Sequence, residues 1–515
     1  MSERVVYQLF GIVLLIVAGA MAASAQVQSD IPSPFSLNSP TFLAPSLWRE
    51  GENAAGLCAT ALPKQSRTGM ILWQDGGRFR RPQAPLSSTT LHFFSEGAQR
   101  FGEWTTRGSF HYERRTENDV RWSNVHNAYA GTPFIWADSV GGNWQKDLVL
   151  LSAALGTPEF LGFLSAGILA DYDVAQGARQ NDTRPLFRSR NIRLVPSVAF
   201  HLSKALRIGL TATYLSRFEE GEFGAADISF PQLIYLRGLG TANTTVLNAA
   251  ERRTVGEGFG IGAQAQVRLA EWQVSLAGNF LLRQDSTQDL AFVPELRRTA
   301  FRFAGRYDER RLSATLAARY TQLDFGVEGA LHAQSLEGRG TDPIFLAVNT
   351  IDQTQAIALL LDWWQGASRL YAPLTVGIHT SLSDLLRRDI LAETKWQRTL
   401  LAAHLVLGSA QRLGEQLWLM ARVSGGIAIV PASSYTANRM LELTPILVRP
   451  DFLVNAASRF WLGAQLALET PVAALNNSTV RLVLQGSTLQ SPAQLDDGSR
   501  LGGRNEVNAG VELVF

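Results

Sequence analysis

The chain has 515 residues, of which 46% are hydrophobic, and a formal net charge of +2 at pH 7. So small an excess of charge gives no whole-chain signal for a polyanion, which excludes nucleic acid from the expected partners. The single cysteine, Cys58, excludes an intramolecular disulfide, and no His or Cys spacing suits a metal. We therefore expect no cofactor and no metal site.

Residues 1–25 have the form of a secretory signal peptide. Arg4 precedes the apolar run 9–20, and Ala23–Ala25 supplies the small residues that signal peptidase accepts before Gln26. The alternative is an N-terminal membrane anchor, but the apolar run is shorter than the roughly 20 residues that a spanning helix needs. We expect this segment to be removed during export.

The segment 26–66 is interpreted as an N-terminal extension. Its first part is rich in Pro and Ser and has no hydrophobic period. Phe35, Leu43 and Trp48 recur in it, and 41–61 is compatible with a short helix. We expect the extension to lie in the periplasm or to pack inside the lumen of the domain that follows.

From residue 67 to residue 515, apolar and polar residues alternate in short segments. In 259–269 the alternation runs from Phe259 to Leu269, and 272–282 follows after a two-residue turn. A strand with one apolar and one polar face is typical of a membrane barrel. The expected strands are 68–79, 88–97, 104–115, 148–155, 160–173, 191–201, 205–217, 259–269, 272–282, 297–307, 312–323, 355–363, 369–380, 395–407, 415–429, 456–468, 478–489 and 502–515.

The expected connections alternate between short and long. The short turns include 156–159, 202–204, 270–271, 308–310 and 408–414. The long connections are 117–146, 174–190, 218–255, 284–296, 336–353, 430–455 and 490–503. Outer-membrane barrels have short periplasmic turns and long external loops. We therefore predict an all-β, transmembrane antiparallel β-barrel of roughly 14–18 strands with both termini in the periplasm.

Three stretches, 104–112 with Trp122, 137–142 and 177–185, carry a likeness to a known group of proteins. They resemble uncharacterised outer-membrane β-barrel proteins of the Bacteroidetes type, and the likeness in layout covers most of the mature chain. This resemblance implies the barrel fold and a place in the outer membrane of a Gram-negative cell, but no shared activity. The partners that we expect are outer-membrane lipid, lipopolysaccharide and, through the C-terminal strand, the barrel-assembly machinery.

Arginine is the most informative residue on the face expected to point inward. By alternation, the candidate lumen-lining residues are Arg193, Arg207, Arg268, Arg283, Arg302, Arg319, Arg422, Arg459 and Arg481, together with Arg217 and Arg306. Two interpretations stay open. The arginines line a pore and favour anions, or they pair with inward acids and brace the wall. The acids in question are Glu469, Glu506, Glu512 and Asp308.

The expected loop 174–190 is a candidate constriction. It carries Arg179, Asp182 and Arg184 close together in sequence. Either the loop folds inward and narrows the lumen, or a pair between Asp182 and an arginine locks the turn of the loop itself.

Catalysis is not expected. The seven histidines accompany no Gly-x-Ser-x-Gly setting, and strand spacing alone pairs none of them with a serine nucleophile. We predict a porin-like channel for a small polar or anionic solute. The alternative is a plugged, non-transporting scaffold or an accessory partner of a receptor or secretion system.

Overall fold

The computed structural model describes residues 52–59, 66–224, 233–245, 249–294, 297–366, 368–472, 475, 478–496 and 498–515. The expected signal peptide and most of the segment 26–66 lie outside these residues. Within them, no helix is both long enough and apolar enough to cross a membrane.

The described chain is almost entirely β-structure. Its strands are β1 (Ser66–Gly77), β2 (Ser87–Phe101), β3 (Trp104–Val120), β4 (Trp136–Ala137), β5 (Gly142–Gly156), β6 (Leu164–Arg179), β7 (Leu186–His201), β8 (Leu206–Gly224), β9 (Leu233–Leu236), β10 (Ala242–Thr245), β11 (Ala249–Leu269), β12 (Trp272–Val293), β13 (Arg298–Thr321), β14 (Phe325–Thr341), β15 (Val348–Gln365), β16 (Thr375–Asp389), β17 (Thr394–Arg412), β18 (Trp418–Ala437), β19 (Arg459–Val472), β20 (Ser478–Gln494) and β21 (Arg500–Val514). The helical elements are a 3₁₀ turn (Ala54–Ala59), a π-helical turn (Thr444–Val448) and helix α1 (Arg449–Asn455).

Eighteen of these strands form one closed antiparallel barrel. Each barrel strand pairs with its neighbours along the chain, and β1 also pairs with β21, with Met70 opposite Val511. Closure leaves no strand with unpaired backbone groups at an edge. The predicted antiparallel barrel of 14–18 strands is therefore confirmed at the upper end of that range. The strands β4, β9 and β10 form a separate small sheet.

The two faces of the wall differ because side chains alternate along each strand. In β21, Val507 and Val511 are exposed on the outer face, whereas Glu506 and Glu512 are buried on the inner face. Large apolar side chains are exposed around the whole outer surface, for example Leu72, Leu91, Ile261, Leu405, Leu462 and Leu482. An outer face of this kind is the apolar band of a membrane barrel.

One predicted turn is wrong. The strand β13 continues through 308–310, where a turn was expected. Its charged residues serve opposite faces: Asp308 bonds Arg306 at 2.9 Å, whereas Glu309 lies 2.9 Å from Arg283 inside the barrel. Arg306 and Asp308 are on the outer face, so their expected inward positions are also wrong. Part of strand β14 was expected to be a loop. Because β14 is a barrel strand that was not expected, the number of barrel strands is still eighteen.

Four expected long connections are mostly strand. The observed connections are 180–185, 294–297, 342–347 and 495–499 in place of 174–190, 284–296, 336–353 and 490–503. At these strand tips the regular alternation of apolar and polar residues stops while the hydrogen-bonded ladder continues. Because neighbouring strands run in opposite directions, the three connections that are long, after β3, β8 and β18, leave the same end of the barrel. We call it the loop end, and the opposite end the turn end.

Candidate functional site

The three long connections fold together into one unit inside the loop end of the barrel. We call this unit the plug and define it as the described residues of 121–141, 233–245 and 438–458. Trp136 of β4 pairs with Tyr235 of β9 in the small sheet. The apolar core of the plug takes residues from all three connections: Ile135, Ala137, Ile234, Leu236, Leu443 and Leu447. Since that core is shared, the three connections stabilise one another.

The first connection is tied to the wall by a fully buried ion pair. Arg179 is the last residue of β6. Its Nη2 lies 2.6 Å from Oδ2 of Asp138, and both side chains are 0% exposed. A charge buried in this way is stable only when its partner is present, since removing one member leaves the other without compensation.

The second and third connections have their own ion pairs with the barrel, through its short loop-end connections and through β16. Arg237 of the second connection lies 2.5 Å from Asp342. Asp451 of the third connection accepts two hydrogen bonds from Arg81, at 2.6 and 3.0 Å, and lies 3.5 Å from Arg387 of β16. Each connection of the plug is therefore anchored to the barrel separately.

Aromatic residues fill the contact between plug and wall. Trp136 packs edge-on against Phe223 of β8, with ring centroids 6.2 Å apart. The ring of Phe134 lies over Gly305 of β13, where a Cβ would come within 2.5 Å of the ring and where φ is +141°. Both facts require glycine at this position, so the wall is shaped to receive Phe134.

The space left between plug and wall is small. One cavity, beside His126 and Asp285, has a volume of about 50 Å³, and another, beside Tyr129 and Asp352, has about 80 Å³. These volumes hold a few water molecules, whereas pockets for small organic ligands have about 300–1,000 Å³. At these two places the described residues of the plug therefore pack closely against the wall.

His126 is the titratable ring within this contact. It stacks on Phe187 with centroids 5.2 Å apart, and its backbone N–H donates to Glu219 at 2.8 Å. Burial, together with the positive charge of Lys146, lowers the pKa of His126 to about 3. The ring is thus neutral over the physiological pH range.

At the turn end, the 3₁₀ turn of the N-terminal extension packs on the inner face. Ala54 and Leu57 contact inward side chains of β5, β6 and β7. A Cβ at Gly167 would lie 2.4 Å from the backbone nitrogen of Ala55, so glycine permits this close approach. The described part of the extension, 52–59, therefore lies in the lumen.

A serine and a histidine meet beneath this turn. Ser165 Oγ lies 2.9 Å from Nε2 of His201 and 2.8 Å from the carbonyl oxygen of Ala55. Ser165 is 0% exposed, so the N-terminal turn covers its hydroxyl. A nucleophile has to be open to its substrate. The contact instead fixes the turn to the wall.

The nine arginines expected to line the lumen all lie on the inner face, because each occupies the same alternation of its strand as residues that are buried inside the barrel. Acids pair with Arg193, Arg283 and Arg481. Arg193 bonds Asp171 at 2.6 Å, Arg283 bonds Glu309 at 2.9 Å, and Arg481 bonds Glu469 at 2.7 Å and Glu512 at 3.3 Å. The others lie at different heights along the barrel axis. Arg207 and Arg268 are near the turn end, and Arg302 is at the exposed loop-end rim. Arg319 lies beside Trp364, and Arg422 and Arg459 belong to β18 and β19.

The expected constriction loop does not enter the lumen as a unit. Arg179 belongs to β6 and is buried against the plug. Asp182 and Arg184 form a pair at 2.8 Å within the short connection 180–185, where the Arg184 side chain is 58% exposed. The lumen is occupied instead by the plug, whose anchoring residues Asp138, Arg237 and Asp451 carry no sequence signal of long-range pairing.

Arg398 is an inward arginine that the sequence analysis missed, although a signal was present. It lies at an even position of β17, whose odd positions Leu401, Leu405 and Leu407 face outward. Among the described residues, no group of three or more His, Cys, Asp or Glu side chains is placed to hold a metal ion.

Several solved structures have a partly similar course of the chain. The siderophore receptor PiuA from Acinetobacter baumannii has a TM-score of 0.40 at 8% identity, with 91% of this chain and 85% of that chain covered. The FrpB iron transporter (F3-3 variant) from Neisseria meningitidis has 0.39 at 12%, with 90% and 83% covered. A FadL homologue from Pseudomonas aeruginosa has 0.30 at 11%, with 90% and 91% covered. Scores and identities this low carry no inference about what this chain binds.

No curated protein is significantly similar to this chain in sequence. A family model does match, and it covers residues 55–515, which is the 3₁₀ turn and the whole barrel. The chain therefore belongs to the DUF6850 family, a family of unknown function.

Proposed function

We propose that this protein is a barrel of the Gram-negative outer membrane that is closed at rest by a plug made of its own loops. It passes small polar or anionic solutes only when the plug moves. The single observation that carries this proposal is the plug itself, a folded unit that lies inside the loop end and is anchored by buried ion pairs.

The placement in the membrane rests on the wall. Its outer face is apolar on all sides, and closed barrels are the only β-structures that satisfy every backbone group in lipid. Aromatic side chains are exposed at the turn end, where the tilted rings of Trp272 and Tyr320 are in contact and Phe515 lies at the rim. In this proposal the turn end faces the periplasm and the loop end faces the outside.

The preference for anions rests on the inner face. Several inward arginines, among them Arg207, Arg268 and Arg459, make no ion pair within the described residues, so the wall has a positive excess in places. Such a field favours anions that enter the lumen.

The test is single-channel conductance of the purified full chain in a planar bilayer. We expect the unmodified protein to be silent. A variant in which a Gly-Ser linker replaces 122–140 should give discrete steps, because one third of the plug is gone. The matched control shortens the turn 413–417 between β17 and β18, which lies at the turn end and away from the plug, and should remain silent.

Two outcomes would decide against the proposal. Steady conductance of the unmodified protein would show an open porin. Silence of the linker variant, with heat-modifiable migration proving that the barrel is folded, would favour the second candidate, a non-transporting scaffold. The observation that favours this second candidate is that buried ion pairs hold the plug in place.

A further inference from the structure

A groove crosses the outer face of the barrel from β17 to β20. Its volume is about 740 Å³. The residues that line it include Leu405, Leu407, Val423, Leu462, Ala464 and Gly486. Pockets that hold small organic ligands have about 300–1,000 Å³. The groove is therefore large enough for a ligand, in contrast to the cavities between plug and wall.

Small residues at adjoining positions form the floor of the groove. Ala464 of β19 lies directly opposite Gly486 of β20. A Cβ at Gly486 would have one atom within 4 Å beyond its chain neighbours, the backbone oxygen of Glu506 at 3.8 Å, so this position faces open space. Leu462 and Val423, which are 59% and 54% exposed, project beside the floor. The depression therefore results from small side chains next to large ones.

The groove is continuous with the apolar band of the wall. The exposed apolar residues around it include Ile427, Phe460, Leu466, Leu484 and Val507. In a membrane such a surface is covered by acyl chains. Within lipid an apolar surface gains nothing from the release of water, so a chain is retained only through closer packing. A groove provides that packing, because it contacts a chain on more sides than a flat wall does.

Polar residues lie at the edge of the groove nearest the loop end. Thr488 of β20 lines the groove and lies directly opposite Asn505 of β21, whose side chain is exposed. Nε2 of Gln490 donates to Oγ1 of Thr488 at 3.4 Å, so the hydroxyl of Thr488 still has its own proton to donate. Polar groups at the border of the hydrocarbon need hydrogen-bond partners. The carbonyl oxygen of a lipid is such a partner.

The polar edge is uncharged, which decides the part of a lipid that it fits. Thr488, Gln490 and Asn505 are all neutral. Proteins bind phosphate groups mainly with arginine and lysine, through charge-assisted hydrogen bonds. The carbonyl oxygen of an ester or an amide needs only a neutral donor. The edge therefore matches the linkage between an acyl chain and its headgroup, and not the phosphate of the headgroup.

We propose that the groove is a binding site for one acyl chain of a membrane lipid, with the ester or amide linkage of that chain at Thr488 and Asn505. The proposal rests on the membrane placement in the proposed function and goes beyond it, because it concerns the outer face and not the lumen. From β20 to Leu405 and Leu407 on β17 the groove crosses three strand spacings, roughly 14 Å. An acyl chain spans half of the hydrocarbon core, about 15 Å, and is long enough to occupy it.

The experiment is native mass spectrometry of the purified full chain in detergent, after incubation with dimyristoylphosphatidylethanolamine. We expect one lipid per chain to remain bound under activation that removes loosely attached lipid. Ala464→Leu fills the floor of the groove and should retain several-fold less lipid. Thr488→Val keeps the shape of the side chain but removes the hydroxyl, and it should also retain less.

Ala263→Leu is the matched control for Ala464→Leu. Ala263 is an exposed alanine on the outer face of β11, eight barrel strands away from β19. The control should retain as much lipid as the unmodified protein. In both variants the added leucine points outward, so the barrel should still fold, as heat-modifiable migration will show.

The site is refuted if the unmodified protein retains no lipid, or if Ala464→Leu and Ala263→Leu retain equal amounts. A dimer of the chain that Ala464→Leu abolishes would identify a second copy as the occupant and would also refute the lipid site. Flotation with phosphatidylethanolamine vesicles separates the two proposals. A chain that does not float with the vesicles would reject the membrane placement and the proposed function. A chain that floats but retains no lipid in the groove would reject the site alone.

Discussion

Arg179 on the barrel wall and Asp138 in the first connection of the plug form an ion pair of 2.6 Å from which solvent is fully excluded. The Asp138 carboxylate also accepts hydrogen bonds from the Thr183 hydroxyl at 3.3 Å and from the Gly141 backbone N–H at 2.9 Å. One carboxylate therefore connects the plug, the wall and the β6–β7 connection.

Replacing this carboxylate should loosen the plug. Asp138→Asn leaves the Arg179 charge buried without a partner, a change that costs about 3–5 kcal/mol. We expect the variant to show brief conductance steps in a planar bilayer where the unmodified protein is silent. Asp182→Asn is the control, since its pair with Arg184 is partly exposed and such pairs are worth about 1 kcal/mol or less. Equal silence of both variants would mean that Asp138 does not hold the plug.

Arg184→Ala should leave the channel properties unchanged. The Arg184 side chain is 58% exposed and pairs with Asp182 of its own connection. In a background with the 122–140 linker, the conductance and the anion preference should equal those of the linker variant alone. A changed reversal potential under a salt gradient would indicate that this loop does form a constriction in the lumen.

Acid should loosen the plug through His126. Its pKa is about 3 in the folded protein, below the ordinary value of 6.5. The neutral ring therefore stabilises the folded plug fully above pH 6.5, and this contribution is lost as the pH falls from 6.5 towards 3. Conductance events should become more frequent over that range.

His126→Phe is the matched variant for this prediction, because it keeps the stacking on Phe187 and removes the titration. Its conductance should depend less on pH between 6.5 and 3 than that of the unmodified protein. Identical pH profiles of the two proteins would assign the acid response to other groups.

Arg481→Ala should weaken the closing strands of the barrel. Arg481 of β20 lies between Glu469 of β19 and Glu512 of β21, at 2.7 and 3.3 Å, and all three side chains are buried. Without the arginine two carboxylates face each other in the interior, so we expect destabilisation of about 3–5 kcal/mol. The temperature at which heat-modifiable migration is lost should fall, whereas Arg302→Ala, at the exposed rim, should leave it unchanged. An unaltered transition in Arg481→Ala would show that the triad does not brace the wall.

Much of the wall was predictable, for a physical reason. Each barrel strand lies between an apolar surrounding and a polar interior, so its apolar and polar residues alternate with a period of two. The pattern around Phe259 and that around Val511 each place the outer and inner faces correctly. The predicted strand ends were wrong at the strand tips, where this contrast ends. The turn predicted at 308–310 was wrong because Asp308, a charged residue on the outer face, interrupts the alternation.

The plug was not predictable in the same way. The segments 121–141 and 438–458 have no period, since each buries only a few residues against partners that are far away in sequence. Ile135, Ile234 and Leu447 meet only because β3, β8 and β18 end at the same rim of a closed barrel.

The sequence by itself therefore determined that the chain forms a large antiparallel barrel with arginines on its inner face, because alternation is a local property that each strand carries alone. Only the tertiary structure decided what fills the lumen. That outcome depends on pairs such as Arg179 with Asp138. Burial and charge compensation are properties of contacts between distant segments, and these contacts exist only once the barrel has closed.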